Sequence, residues 1–165
     1  MNEKERGGCG MANLEVTLET MEAREIHGLW GKSGDRTVSK DIPCLSAEFY
    51  QAAGKKAGEV LPFYVLSRNY DPRTGAFELL IAGDSAAPAL ASFTLEAGVY
   101  ARITVRPKLG FLWGPAVGEA KRYFYTKWLP ESGCAARNLE YELHTEKSMG
   151  RAPSVDLLFA VSGRD

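Results

Sequence analysis

The alternating run from Leu139 to Thr145 carries the residues with the clearest chemical potential in the chain. Side chains alternate across a strand, so Tyr141 and Leu143 share one face while Glu140, Glu142 and His144 share the other. The apolar set is expected to meet the helices, and the polar set to face a groove or solvent. Glutamate is disfavoured in mid-strand. At the base of a groove, a carboxylate there could pair with a ligand cation, or take up a proton and serve as an acid. The plainer alternative is a solvated strand face on which Glu142 and His144 form an ordinary exposed ion pair. Aromatic residues give a second clue. Phe49, Phe124 and Phe159 read as core, whereas Phe63, Tyr100, Trp113 and Trp128 are candidates for the walls of a binding site, Trp128 alternatively anchoring a helix end. Phe111-Leu112-Trp113-Gly114-Pro115 is an apolar loop leading into a helix, and such a loop needs cover from the core, a ligand or a second copy of the chain. Aromatic walls and one carboxylate suit a flat lipophilic cation, through stacking, cation–π attraction and charge pairing.

Other chemistries find little support. The chain has no G-x-S-x-G elbow, P-loop or G-x-G-x-x-G signature. Cys9, Cys44 and Cys134 are an odd set without C-x-x-C spacing, so neither a disulfide framework nor a structural zinc site is expected. Cys44, beside Leu45 in a helical stretch, reads as buried rather than nucleophilic. Histidine is confined to His27 and His144. Neither a metal site nor a resident cofactor is expected. Were the chain an enzyme, Glu142 would be its catalytic residue.

The elements that must position these residues follow from periodicity and turn chemistry. Leu14, Val16 and Leu18 alternate as in a half-buried strand, and Glu22 to Trp30 reads as another. Gly31 to Lys40 reads as a polar loop. Asp41 to Gly54 reads as a helix, with Asp41 as cap, Pro43 in the first turn and Gly54 ending it. Strands are expected over Leu61 to Arg68, Ala76 to Ile81, Gly98 to Arg106, Leu139 to Thr145 and Val155 to Val161. Ala86 to Ala91 is ambiguous. A second helix is expected from Gly114 to Trp128, stopped by Leu129-Pro130.

An internal repeat organises these pieces. Tyr64-Val65-Leu66 resembles Tyr141-Glu142-Leu143, Phe77 to Gly83 resembles Val155 to Val161, Phe49-Tyr50 resembles Phe124-Tyr125, and Ala23-Arg24 resembles Ala101-Arg102, all in one order. Two strand-helix-strand-strand halves, about 12–84 and 91–162, imply an α+β fold. Its sheet would be mostly antiparallel, with helices on one face and a ligand groove between the halves. The repeat also singles out Glu142: its counterpart is Val65, so one copy of an apolar position has become acidic.

Composition limits the setting. Twenty Lys and Arg against 21 Asp and Glu leave a formal net charge of −1, without the basic excess of a protein that grips phosphates. No apolar run is long enough to span a membrane, and Met1 to Gly10 is too polar for a secretory signal. A cytoplasmic protein is expected. Residues 1–11 read as a disordered extension, with Met11 as an alternative start, and 12–165 as the folded domain.

At these residues the sequence resembles the GyrI-like effector-binding domains, the ligand modules of AraC- and MerR-type bacterial transcription regulators and of standalone proteins. Met21 to Leu29 looks like the family's opening strand, Ile42 to Gln51 like its first helix, and Ala97-Gly98-Val99-Tyr100-Ala101 like its central strand. Trp128-Leu129-Pro130-Glu131-Ser132-Gly133, then Tyr141-Glu142-Leu143-His144 and Pro153 to Val161, match its W-L-P-x-S-G motif, its aromatic-Glu-x-Tyr strand and its closing strand. The resemblance implies a duplicated fold with a groove between halves, in which the glutamate of the acidic strand, here Glu142, binds cationic aromatic compounds, as in multidrug-binding members. His144 stands where the family has tyrosine. No helix-turn-helix precedes the first matched strand, so a standalone binding module for small lipophilic cations is expected, without direct nucleic-acid or membrane contact and with a homodimer as one arrangement. The resemblance also offers two alternatives: a hydrolase of reactive cyclopropane-containing compounds, and a protein-interaction module like gyrase-inhibiting relatives.

Overall fold

The computed structural model describes residues 14–109 and 113–163. The expected extension over 1–11, and Phe111 and Leu112 of the apolar loop, lie outside the described residues. Alternating apolar residues form eight strands: β1 (Thr17–Met21), β2 (Arg24–Gly34), β3 (Phe63–Arg68), β4 (Ala76–Gly83), β5 (Ala91–Leu95), β6 (Gly98–Val105), β7 (Ala135–His144) and β8 (Val155–Ser162). They make one antiparallel sheet in the order β1-β6-β8-β7-β3-β4-β2-β5, curled into a half-barrel. The order is symmetric about the β7–β3 junction. Strand-helix-strand-strand halves meet there, and each half receives at its outer edge the strand that precedes the other. At the junction Val65 lies directly opposite Glu142.

Helix α1 (Val38–Ala53) spans β2 to β3, and α2 (Trp113–Tyr123) follows β6. Both cover the same face of the sheet. Phe49, Val65, Leu79 and Ile81 form the core under α1. Ala101, Ile103, Leu157, Phe159, Ala116, Ala120 and Phe124 form the core under α2. Fully burying a side chain of Leu, Ile or Phe size contributes roughly 1.5–3 kcal/mol, so these two clusters hold the helices in place. Among the described residues, the opposite face carries no helix. Its core is Ile26, Tyr64, Leu66, Leu80, Tyr100, Tyr141 and Leu158, gathered by the curl of the sheet.

The expectation that the apolar sets meet the helices holds for β6, where Ala101 and Ile103 pack beneath α2. It is reversed for β7. Tyr141 belongs to the helix-free core, and Leu143 packs against it. The face holding Glu140, Glu142 and His144 is the helix-covered one. Both faces of this sheet are apolar, so side-chain polarity along one strand does not say which face the helices choose.

The expected loop over Gly31 to Lys40 is shorter. β2 runs to Gly34, and α1 begins after Thr37. Asp41 is therefore a first-turn residue rather than the cap, and Pro43 lies inside the helix. Asp41 accepts hydrogen bonds from the side chains of Thr37 and Ser33, the latter at 2.8 Å. These bonds hold its carboxyl below the usual aspartate value. The stabilisation they give is therefore full above the ordinary aspartate range and is lost as pH falls through the depressed value. In an NMR titration, Asp41 is expected to titrate below an ordinary aspartate, and Ser33→Ala to move its midpoint upward. An unmoved midpoint would contradict the assignment.

Gly54, at φ 66°, closes α1 as expected, in the left-handed conformation that glycine adopts without penalty. Cys44 corrects the sequence reading: it is exposed, because Ile42, Leu45, Phe49 and Ala53 take the inward positions. β5 is an element that the ambiguous stretch before it concealed. The second helix does not stop at Leu129-Pro130. It widens into a π turn over Phe124–Trp128 and continues as α3 (Leu129–Ser132) until Gly133 at φ 77°. Pro130 is the second residue of α3 and follows directly on the π turn.

Candidate functional site

A groove of about 910 Å³ opens on the helix-covered face, between α1 and α2. Its floor is the β3–β7 junction, with Val65, Ser67, Glu140 and Glu142; Val38 and Ile42 line it from α1, and Trp113, Val117 and Lys121 from α2. Tyr70, Phe77, Tyr125 and Leu139 complete the apolar and aromatic lining. The two helices sit over opposite halves of the sheet, so the junction between the halves is the stretch they leave open.

Glu142 is set apart by its register. The transverse row across this face reads Leu29, Ile81, Val65, Glu142, Leu157, Ile103, each directly opposite the next. A single charged residue interrupts five aliphatic ones. Its side chain is only 17 % exposed. Among the described residues its carboxylate has one hydrogen-bond partner, His144 Nε2 at 3.2 Å. A half-buried carboxylate with one partner keeps unused acceptor capacity.

The neighbouring carboxylate differs. Glu140 Oε1 accepts the Tyr125 hydroxyl at 2.8 Å, and Lys121 Nζ lies 3.1 Å from Oε2. Burial, then the Glu140 charge, push the Tyr125 phenol well above the usual tyrosine value. For Lys121, burial disfavours the ammonium but is outweighed by Glu140 and Glu142, and its pKa is raised. The π turn makes this arrangement: Phe124 is fully buried and stacked on Phe159 with ring centroids 3.9 Å apart, while Tyr125, the next residue, also reaches the sheet. In a regular helix consecutive residues point about 100° apart.

The structure gathers some of the sequence candidates and separates others. Glu142 and Trp113 line the groove. His144 and Phe63 stand behind Glu142: the His144 ring lies 6.3 Å from Trp113 and 5.9 Å from Phe63. Trp128 is in the α2 core, stacked on Phe124. Tyr100 is buried on the opposite face of the sheet, with its hydroxyl on the Glu96 carbonyl at 2.7 Å. Lys121 and Tyr70 are not singled out from sequence; Glu140 is placed there only on the polar face of its strand, and Tyr125 only among the aromatic residues and in the repeat. For Lys121 and Tyr125 the signal was available, since both lie on the helix that matches α1 in the repeat. Among the described residues no cluster of His, Cys, Asp or Glu could hold a metal ion, and no helix is long and apolar enough to cross a membrane.

A curled antiparallel sheet of two matched halves, two helices on one face and a groove over the junction define the GyrI-like effector-binding fold. Solved structures share it. SAV2435 bound to tetraphenylphosphonium superposes with a TM-score of 0.67 at 15 % identity, covering 91 % of this chain and 95 % of that one. The EcmrR C-terminal domain gives 0.62 at 13 % identity, with 93 % and 99 % covered. An integron cassette protein from the mobile metagenome of Vibrio cholerae gives 0.65 at 18 % identity, with 88 % and 95 % covered. At these identities the likeness is one of fold. No protein-family model and no curated protein matches the chain.

Proposed function

We propose that this protein is a small-molecule-binding module that takes lipophilic aromatic cations into the groove between α1 and α2, for sensing or sequestration in the cytoplasm. The observation that carries the reading is Glu142, the charged member of an otherwise aliphatic row on the groove floor, with acceptor capacity to spare. Trp113 supplies an aromatic wall, Val65 and Ile42 the apolar surface, and Glu142 the counter-charge. His144 orients the Glu142 carboxylate and Phe63 supports His144 from behind. Tetraphenylphosphonium, the compound bound by SAV2435, belongs to this ligand class.

The test is tryptophan fluorescence during titration with tetraphenylphosphonium and with neutral tetraphenylmethane in parallel. Saturable binding of the cation, weak binding of the neutral compound and recovery of the cation unchanged are expected. Equal affinity for the two would contradict the charge pairing. The 3.2 Å contact between Glu142 and His144 supports a second reading, a hydrolase in which the pair manages a proton. Consumption of a reactive compound with turnover, abolished in Glu142→Gln, would favour that one.

A further inference from the structure

The groove already holds a cation of its own. Both oxygens of Glu140 are engaged from α2 and the π turn, Oε2 by the Lys121 ammonium at 3.1 Å and Oε1 by the Tyr125 hydroxyl at 2.8 Å. Glu142 lies two residues along the same strand face, ~6.6 Å away by strand rise, and has His144 as its partner. Of the other charged groups on the lining, the Arg68 guanidinium is paired with Glu78 and lies 4.1 Å over the Trp30 ring. Asp35 accepts the Tyr70 hydroxyl on one oxygen at 2.7 Å, and its charge also favours the Lys121 ammonium. Glu140 and Glu142 would form a site for two positive charges, were one place not taken by Lys121.

We infer that Lys121 is an internal counter-cation that fills the Glu140 half of the groove and restricts the ligand to a single positive charge. This rests on the cation-binding reading above. It makes Lys121 a specificity-determining residue: it repels a second ligand cation and denies it a carboxylate. A ligand of one charge pairs with Glu142 and lays its apolar body along Val65, Ile42 and Trp113. A ligand of two charges must bring the second close to the Lys121 ammonium, without Glu140 as a free partner.

The probes are three biaryls of one shape, each methylated at both ends: the 1-methyl-4-(4-methylphenyl)pyridinium monocation, the methyl viologen dication and neutral 4,4′-dimethylbiphenyl. Wild type is expected to prefer the monocation. Lys121→Met frees Glu140 and is expected to raise the ratio of dication to monocation affinity by about tenfold or more, as one further half-buried charge pair would. Lys121→Gln keeps polarity without charge and is expected to shift the ratio in the same direction. Glu140→Gln tests the pair from the other side. It leaves Glu142 as the remaining partner for Lys121 and is expected to weaken both cations. An unchanged ratio in both lysine variants, each melting cooperatively, overturns the inference. So does unaltered cation binding in Glu140→Gln. Should wild type show no cation preference, or should Glu142→Gln leave it intact, the cation-binding reading itself fails. A preference that depends on Glu142 but not on Lys121 removes the lysine inference alone.

Discussion

Glu142→Gln is expected to weaken binding of tetraphenylphosphonium by about 10- to 100-fold, while binding of neutral tetraphenylmethane changes by less than about twofold. The magnitude follows from what is removed. Opposite unit charges ~6 Å apart attract by ~2.8 kcal/mol at an effective dielectric constant of about 20, before desolvation is subtracted, and each ~1.4 kcal/mol is tenfold in affinity. The Glu142 side chain is only 17 % exposed, so solvent screens it less than a surface carboxylate. Glutamine keeps the shape and an oxygen that can accept from His144, so the groove wall stays as it is. The isolated change is loss of charge. Isothermal titration of both ligands against both proteins measures it. Equal weakening of the two ligands would show a steric role, and no weakening of either would remove Glu142 from the site.

The second large effect is on stability. Phe124→Ala is expected to destabilise the protein by ~3–5 kcal/mol, the usual cost of truncating a fully buried aromatic side chain. Phe124 is fully buried and stacks on Phe159 and Trp128, with ring centroids 3.9 and 5.4 Å away. It anchors the π turn to the sheet beside Tyr125 and Glu140. For a domain of this size each kcal/mol moves the melting temperature by roughly 2–4 °C, so a drop of about 10 °C is expected. Denaturant unfolding with an unchanged m-value would confirm a loss of packing rather than a change in the unfolded state. A cost below ~1 kcal/mol would mean that the groove's α2 wall is held by something other than this aromatic stack.

Much of the fold was legible because duplication writes it twice. Tyr64-Val65-Leu66 and Tyr141-Glu142-Leu143 occupy matching strands, and the register sets Val65 against Glu142 with the two tyrosine rings 5.8 Å apart. Alternation alone separates Glu140, Glu142 and His144 from Tyr141 and Leu143. It does not reveal which of two apolar faces the helices cover. That depends on tertiary packing, where Phe49 from α1 and Phe124 from the π turn choose the Val65 and Leu157 side. Tyr100 shows the same limit, being aromatic and central yet on the helix-free face. The extension past Pro130 was hidden because proline ordinarily ends a helix, whereas here it follows a π turn in which the Leu129 N–H already bonds to the Phe124 carbonyl, five residues back, instead of keeping the regular ladder. The Lys121–Glu140 pair was hidden because its partners are 19 positions apart and meet only once α2 lies across β7.

The claim that matters most is that ligands enter the helix-covered groove over the β3–β7 junction. NMR chemical-shift mapping with tetraphenylphosphonium tests it most directly. Saturable shifts are expected at the amides of Val65 and Glu142, the Trp113 indole and the Val117 methyl groups, all on the groove lining. Tyr64, Tyr100 and Leu158, on the opposite face, are expected to stay in place. Saturable shifts concentrated on that opposite face, with Val65, Glu142 and Trp113 unmoved, would contradict the account.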